Sequence, residues 1–454
     1  MTQNQRSELT DAAQATEVAA EFSLRPKSDW TPVVGWLGVG GVLLWVAIAR
    51  IYQLHQPFWS VFTVLTAAVP MVLWSVLVDK VHRNPSTGID WDGPPRKWAD
   101  IKQISITKIV SLWATWGMIA FFYCIGRWYW TEGTVFAMHV FMWTGIPLLL
   151  VSIPYVIWLD RRLAEPKDHT YIFGLWVLGR SAPDDMPAVY DHLRTWAVKG
   201  FFIAFMVAIL PGGYHNVITM PLIGIWQNPV AVVATIVALM FLLDVHVAMV
   251  GYLLTLRPLD AHIRSANPFL AGWLSALICY PPFIMMGANG PLSYTNYTYG
   301  DDGWWQWTQS YPAITWTLAG LFIILSAIYA WATIAFGLRF SNLTYRGVLT
   351  DGPYRFTRHP AYISKNSFWW IATLPFLVTT HNINDSVRNV AALILVNLVY
   401  YWRARTEEKH LLIDPKYVDY WNWAERHALV TRTINRFFRK TPRTAILRVE
   451  DSGH

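Results

Sequence analysis

Long apolar stretches recur along this chain, and they constrain its fold more than any other feature. A helix needs about 20 residues to cross the core of a bilayer, and ten windows of near that length carry almost no charge. These windows lie at residues 33–50, 58–78, 106–126, 134–159, 197–217, 229–255, 269–289, 312–337, 361–380 and 387–402. The pattern predicts an all-α, polytopic membrane protein with about ten transmembrane helices.

Composition agrees with lipid as the surrounding medium. Only 14% of the residues are charged and 54% are hydrophobic, whereas a soluble domain has about 25% charged residues. The first thirty residues are polar and mixed in charge, so we predict no cleavable signal peptide. Cys124 and Cys279 both fall within predicted spans, so we expect no disulfide framework.

The basic residues indicate how the chain is oriented in the membrane. If the N-terminus is inside, 32 of the 36 Lys and Arg residues fall on one side of ten alternating spans. Cytoplasmic segments carry such an excess, so both termini are predicted to be cytoplasmic. The net charge of +7 then reflects topology and contact with anionic lipid headgroups rather than nucleic-acid binding.

Charge and motif density rise after about residue 338, which suggests a division of the chain. We predict a flexible cytoplasmic tail at 1–30, an N-terminal transmembrane region at 31–267 and a catalytic transmembrane module at 268–454 with a cytoplasmic C-terminal tail. Four glycines in the first span are predicted to let a neighbouring helix approach closely. They are Gly35, Gly38, Gly40 and Gly41.

A first polar cluster runs from Asp351 to Tyr362 and precedes the ninth predicted span. Gly352 and Pro353 are expected to turn the chain at the membrane interface. Pro360 suits the first turn of a helix, where its missing N–H costs nothing. The side chain before it, His359, is therefore predicted to lie at the mouth of that span.

A second polar cluster follows the last apolar window and contains Arg403, Arg405, Glu407 and Glu408. Arg403 and Glu407 are four residues apart and share a helix face. Both clusters fall on the predicted cytoplasmic side of one hydrophobic hairpin, where two adjacent carboxylates are suited to a cationic ligand. Taken singly, each cluster also fits an interfacial turn with snorkelling side chains or a solvated salt bridge.

Two ionisable residues, Asp244 and His246, lie deep in the sixth predicted span. Such groups are costly in a bilayer and often functional. They are two residues apart and so point to opposite sides of a helix. A substrate or proton role and a buried interhelical hydrogen bond both stay open at this point.

The two clusters together carry a family pattern. Gly352-Pro353-Tyr354-Arg355-x-x-Arg358-His359-Pro360-x-Tyr362 is followed by Arg403-x-Arg405-x-Glu407-Glu408-x-x-Leu411-Leu412 and by Tyr417-x-x-Tyr420. Over roughly residues 340–422 the chain resembles the isoprenylcysteine carboxyl methyltransferase and phospholipid methyltransferase family of integral membrane enzymes. Small members of that family have no counterpart of the large N-terminal region.

The resemblance implies S-adenosylmethionine as cofactor, bound at the cytoplasmic ends of the last spans, and a lipophilic or small-molecule acceptor. The implied cofactor-binding residues are Tyr354, Arg358, His359, Pro360, Tyr362, Glu407 and Glu408. The implied catalytic residues are Arg403, Arg405 and His359. Either arginine would orient the acceptor or the cofactor carboxylate, and His359 would be the base for an amine or hydroxyl acceptor.

The implied chemistry needs few protein groups. A sulfonium methyl group is already activated, so displacement depends mainly on positioning and on exclusion of water. No metal is expected, because the sequence has no His/Cys cluster with zinc spacing. Neither the acceptor nor the oligomeric state can be read from the sequence.

Two other classes of function remain open. An NAD(P)H-dependent membrane reductase resembling sterol reductases would share the Arg-His-Pro turn. Two adjacent carboxylates should repel a polyphosphate, although Arg355, Arg358 and Lys365 could receive phosphates. A transporter or channel would fit ten spans, but the sequence shows no repeat with interrupted helices in matching positions.

Overall fold

The structure is a computed structural model that describes residues 24–287, 290–294, 304–373 and 382–437. Helices account for most of these ranges. In chain order they are α1 (Val33–Ile51), α2 (Pro57–Leu77), α3 (Trp98–Ile125), α4 (Glu132–Asp160), α5 (His169–Val177), α6 (Met186–Thr219), α7 (Pro229–Leu253), α8 (Leu270–Leu277), α9 (Trp304–Thr308), α10 (Pro312–Ile334), α11 (Pro360–Thr373), α12 (Ile383–Leu411), α13 (Pro415–His427) and α14 (Leu429–Phe437).

Seven helices in the described ranges are long and apolar enough to cross a membrane. They are α1, α2, α3, α4, α6, α7 and α10. They correspond to the first six predicted spans and the eighth. The prediction of an all-α, polytopic membrane protein is confirmed, while the number and direction of the crossings stay predictions.

The prediction of a spanning helix at 269–289 is wrong. Helix α8 covers only Leu270–Leu277 and is followed by turns as far as Gly287. Eight residues of α-helix rise about 12 Å, less than half of a bilayer core of about 30 Å. Pro281 and Pro282 explain the break, because proline lacks an N–H donor and clashes with the preceding helical turn.

The last two predicted spans are only partly comparable with the structure. Helix α11 accounts for 361–373, and residues 374–381 lie outside the described ranges. Helix α12 extends well past the predicted end at residue 402. Its final turns therefore carry the second polar cluster as a continuation of the same helix.

Helix α7 forms the centre of the molecule. Every residue from Leu242 to Tyr252 is buried, as expected of a helix enclosed on all sides. It packs against α6 on one side and α10 on another, and α10 in turn packs against α11. The Asp244 carboxylate lies beside the Thr333 side chain of α10, and its Oδ1 atom is buried without a hydrogen-bond partner among the described residues, so both roles predicted for this residue stay open.

A short sheet and one buried arginine fix the loop that follows α10. Strand β1 (Ser265–Ala266) pairs antiparallel with β2 (Thr344–Tyr345). The guanidinium group of Arg346 donates to the carbonyl oxygens of Gly251 at 2.9 Å and Phe340 at 3.0 Å. Buried carbonyls need such partners, so the path of this loop is set by the end of α7.

Residues 24–32, which we call the N-terminal strap, lie across the same loop. The Asp29 backbone N–H donates to the Val348 carbonyl at 2.9 Å, and the Val348 N–H donates to the Asp29 carboxylate at 2.8 Å. The prediction of a flexible tail at 1–30 is therefore wrong for its last residues, because their polar groups find partners in a distant loop. Residues 1–23 lie outside the described ranges.

Three of the four glycines in α1 are at close helix contacts. A Cβ atom added to Gly35 would lie 1.7 Å from the Ile334 carbonyl oxygen of α10, and one on Gly41 would lie 2.0 Å from that of Thr66 in α2. At Gly38 the nearest atom would be a methionine sulfur at 2.6 Å, whereas Gly40 has no neighbour within 4 Å. The predicted close approach thus occurs at all of these positions except Gly40.

This arrangement predicts opposite effects for two alanine substitutions in one helix. Gly35→Ala should lower the free energy of unfolding by about 1–3 kcal/mol, because the methyl group overlaps the backbone of α10. Gly40→Ala should leave it unchanged or raise it by up to about 1 kcal/mol through helix propensity. Thermal unfolding of both variants in detergent measures the difference, and equal midpoints would contradict the assigned packing.

Candidate functional site

The first polar cluster forms a turn that leads into α11. Gly352 has a φ of 62° and opens a short 3-10 turn over Gly352–Arg355. Helix α11 begins at Pro360, as predicted, so His359 lies at its N-terminus. The Tyr420 hydroxyl of α13 donates to the Tyr354 carbonyl at 2.7 Å and fixes the turn from the other side.

Arg358 connects this turn to two other helices. Its Nε donates to Glu408 Oε1 of α12 at 2.8 Å, and a terminal guanidinium nitrogen donates to Glu425 Oε1 of α13 at 2.9 Å. The guanidinium carbon also lies 4.6 Å from the centroid of the Trp421 ring. Burial alone would lower the pKa of Arg358, but the charge of Glu408, aided by Glu425, outweighs burial and raises it.

Glu408 is fully engaged by donors from the protein. Its Oε1 also accepts a hydrogen bond from His359 Nε2 at 3.0 Å, and its Oε2 accepts one from Arg405 at 2.7 Å. The side chain is only 4% exposed. The Glu408 carboxylate therefore holds the turn before α11 in position against α12.

Glu407, the neighbouring carboxylate, is in a different situation. Its Oε2 accepts a hydrogen bond from the Tyr362 hydroxyl at 2.9 Å. Among the residues that the structure describes, no basic side chain forms an ion pair with it. The ring of His359 stacks on that of Tyr362, with centroids 5.6 Å apart and planes 10° apart.

A cavity of about 150 Å³ lies between these segments. Seven of the predicted site residues line it, and they come from both clusters. They are Tyr354, Arg358, His359, Pro360, Tyr362, Arg403 and Glu407. Arg405 and Glu408 do not line the cavity. The structure thus brings the two clusters together, as the sequence predicted.

The two predicted arginines of α12 face different sides. Arg403 is buried, donates to the Asn342 side-chain oxygen at 2.7 Å and lies 5.4 Å from the Tyr280 ring centroid. Arg405 is 46% exposed and binds Glu408 outside the cavity. Residues two apart on a helix point in nearly opposite directions, so only Arg403 is placed to contact a bound molecule.

Several residues of the cavity wall were not predicted as site residues. Lys365 lies one turn beyond Tyr362 on the same helix face, so helical periodicity could have found it. Asn342 and Tyr280 belong to loops that the motifs do not include, and Trp30 belongs to the N-terminal strap. No local sequence signal points to these three, because distant parts of the chain bring them to the cavity.

The fold and this cavity define a polytopic membrane protein with a polar site between its last helices. Residues 313–413 match the protein-family model described as the Isoprenylcysteine carboxyl methyltransferase (ICMT) family. The match confirms the predicted resemblance, and a domain of this family indicates a membrane methyltransferase. It runs from the start of α10 to just past α12, so Tyr417 and Tyr420 lie beyond it.

No curated protein and no solved structure matches the chain. The region before residue 313, which includes α7 and the N-terminal strap, is outside the family match. The role of this region is therefore inferred from the contacts that it makes with the matched part of the chain.

The Arg358 bridge gives a stability prediction with a matched control. Arg358→Met leaves two buried carboxylates without their main partner and should lower the free energy of unfolding by about 3 kcal/mol. Arg355→Met, three residues earlier on an exposed side chain outside the cavity lining, should change it by less than about 0.5 kcal/mol. Denaturation of the detergent-purified variants compares the two, and equal stabilities would argue against the bridge.

Proposed function

We propose that this protein transfers a methyl group from S-adenosylmethionine to a lipophilic or small-molecule acceptor, in the cavity between α10, α11 and α12. The main support is the position of Glu407, a cavity-lining carboxylate with no basic partner in the described part of the chain. A carboxylate in such surroundings attracts a cation strongly, because the local dielectric is low. The sulfonium and ammonium groups of the donor are both cations.

The cationic side chains of the cavity support a zwitterionic donor rather than a polyphosphate. Five cationic side chains line the cavity. Arg339 is paired with Asp260 at 2.6 Å. Arg346 donates to backbone carbonyls, and Arg358 is paired with two glutamates. A pyrophosphate would have to compete with these internal partners. Among the described residues, Arg403 and Lys365 are the two of these five that have neither a carboxylate partner nor a set of backbone carbonyl partners.

The reductase alternative depended on three basic residues that could bind phosphates. Arg358 is occupied by the Glu408 and Glu425 carboxylates, and Arg355 does not line the cavity. Lys365 remains, in a cavity that the Glu407 carboxylate also lines. This balance of charge favours the sulfonium donor over a nicotinamide dinucleotide.

Each end of the donor then has a partner. We assign the cationic groups of S-adenosylmethionine to Glu407 and its carboxylate to Arg403. The Tyr362 hydroxyl donates to the Glu407 carboxylate and holds it in place. The His359 ring stacks on the Tyr362 ring and supports it in turn. His359 already bonds to Glu408 through Nε2, so its role as the base for an amine or hydroxyl acceptor would fall to Nδ1.

The reaction itself needs alignment more than acid–base groups. The acceptor atom attacks the methyl carbon in line as the carbon–sulfur bond breaks, and the electron pair of that bond stays on sulfur. The positive charge of the sulfonium disappears in this step, so a site that excludes water favours it. Holding both reactants within the cavity supplies most of the remaining advantage.

We place the acceptor near Lys365. The Lys365 ammonium nitrogen lies 5.6 Å from the ring centroid of Tyr329, 5.1 Å from that of Trp369 and 5.2 Å from that of Tyr400. No hydrogen-bond acceptor contacts it within the ranges that the structure describes. Since an ammonium group without acceptors is costly to bury, a polar group of the incoming molecule would stabilise it there.

The orientation of the site follows from the distribution of charge. The N-terminal strap contacts Asp351 and Lys416, so both clusters lie at the same end of the molecule as the start of α1. The segments that carry them, 338–366 and 403–454, contain 16 of the 36 Lys and Arg residues, and such an excess marks the cytoplasmic side in known membrane proteins. We therefore propose an integral membrane enzyme whose cavity opens near the cytoplasmic face, with both termini on that side. An acceptor that partitions into the bilayer would reach the cavity without crossing bulk water.

Calorimetry on the purified protein tests the donor assignment. S-adenosylmethionine and S-adenosylhomocysteine should bind, and NADPH should not. Glu407→Gln should weaken S-adenosylmethionine binding by about tenfold or more, because a charge-assisted bond is lost. Glu165→Gln, an exposed glutamate in a loop, serves as the control, and equal affinity in both variants would rule out Glu407.

A second measurement addresses the acceptor. Transfer of labelled methyl groups is recorded for long-chain acids, alcohols, amines and isoprenoid thioethers. Lys365→Met should lower transfer by about tenfold, from loss of one bond to a charged group, with donor affinity unchanged. Lys409→Met, exposed and outside the cavity, should behave like the wild type, and full activity of Lys365→Met would exclude this acceptor position.

A further inference from the structure

The N-terminal strap is held firmly against the cavity-lining loop. Besides the two Asp29 contacts with Val348, the Thr350 N–H donates to the Ser28 hydroxyl at 3.0 Å. Arg25 forms an ion pair with Asp351 at 2.6 Å. This is a strand-like docking over several residues, in a segment that lies almost 300 residues before the family match.

The carboxylate of Asp29 anchors the strap by charge as well. It contacts the ammonium group of Lys416 in α13 and lies 3.7 Å from Arg264. Burial alone would raise the pKa of Asp29, but the bonds from Lys416 and from the Val348 N–H outweigh burial and lower it. A Cβ atom on Gly347 would lie 2.5 Å from this carboxylate, so the close fit depends on glycine there.

This docking brings Trp30 into the cavity wall. Its indole N–H donates to the Ala335 carbonyl at 3.1 Å, and its ring centroid lies 5.8 Å from that of Phe336. The guanidinium carbon of Arg339 lies 4.6 Å from the indole centroid. These contacts fix the ring, and the half-buried Trp30 side chain borders the cavity together with Phe336 and Arg339.

The cavity thus has two kinds of wall. One is polar and contains Tyr362, Arg403 and Glu407, and the other is apolar and contains Trp30, Phe336, Val348 and Leu349. The described residues show no hydrogen bond, ion pair or ring contact between Trp30 and the polar group. A molecule that is charged at one end and carries a flat heterocycle at the other would match both walls.

We propose that Trp30 is the stacking surface for the purine base of the methyl donor, so that the strap completes the donor site as its roof. The inference rests on the proposed function and adds the nucleoside contact to it. Arg339, packed on the indole and paired with Asp260, is the positioning residue for this ring. The N-terminal region thereby contributes directly to a site whose motifs all lie near the C-terminus.

Two ligands separate this contact from the polar one. S-adenosylhomocysteine carries both the nucleoside and the amino-acid end, whereas 5′-methylthioadenosine carries the nucleoside without the amino-acid end. Loss of stacking between a base and an aromatic side chain lowers the binding affinity by roughly tenfold to a hundredfold. Trp30→Ala should therefore weaken both ligands by the same factor, whereas Glu407→Gln should weaken only S-adenosylhomocysteine.

Variants of the full-length protein supply the controls. Trp30→Phe keeps a flat ring and should restore most of the affinity lost in Trp30→Ala. Trp36→Ala, on an exposed face of α1 outside the cavity, should bind both ligands like the wild type. Thermal unfolding without ligand accompanies each titration and separates loss of stacking from loss of the fold.

The outcomes distinguish this inference from the proposed function. If the wild type binds neither ligand, the methyl-donor assignment itself fails. If the wild type binds both and Trp30→Ala does so equally well, the donor assignment stands and the roof is refuted. An equal loss in Trp30→Phe, or a loss confined to S-adenosylhomocysteine, also overturns stacking on this ring.

Discussion

The bridge from Arg358 to Glu408 and Glu425 is the contact on which the site depends. It joins the turn before α11 to the end of α12 and to α13, and it adds charge to the Tyr420–Tyr354 and His359–Glu408 hydrogen bonds between the same segments. In the low dielectric of a buried site, a guanidinium with two carboxylates is strongly held once formed, and costly to break. The same carboxylate of Glu408 also holds His359, whose ring stacks on Tyr362 at the cavity wall.

The bridge also gives two adjacent acids, Glu407 and Glu408, different surroundings. Glu408 is paired with Arg358 and Arg405 and accepts a hydrogen bond from His359, so its charge is compensated where it is buried. Glu407 is rotated about 100° around the helix axis and lines the cavity without a basic partner in the part of the chain that the structure describes. A pair of neighbouring carboxylates in sequence thus becomes one structural group and one group available to a ligand.

Much of this could be predicted from the sequence, since it follows from local rules. Apolar windows gave seven helices that the structure contains, and Pro360 marked the start of α11 because of its fixed backbone geometry. The span predicted at 269–289 is wrong because hydrophobicity alone does not register the helix-breaking effect of Pro281 and Pro282. Which of Glu407 and Glu408 faces the cavity could not be predicted, since the answer depends on Arg358 and Glu425 in other segments.

The contribution of Trp30 to the cavity could not be predicted from the sequence for a related reason. Trp30 belongs to a polar stretch that resembles a flexible tail, and its partners Ala335 and Phe336 are about three hundred residues away. Only the pairing of Asp29 with the loop around Val348 turns that stretch into part of the site. Interactions at this separation leave no periodicity or motif that a single sequence can reveal.

The span of these contacts also sets the order in which the molecule can be completed during synthesis. Asp29 and Lys416 are 387 positions apart, and Arg25 and Asp351 are 326 apart. Contacts so distant along the chain form only after the intervening segments have been made and assembled. Residues 24–32 are made long before their partners at 348–351 and 416, so this strap is among the last segments to reach its final place.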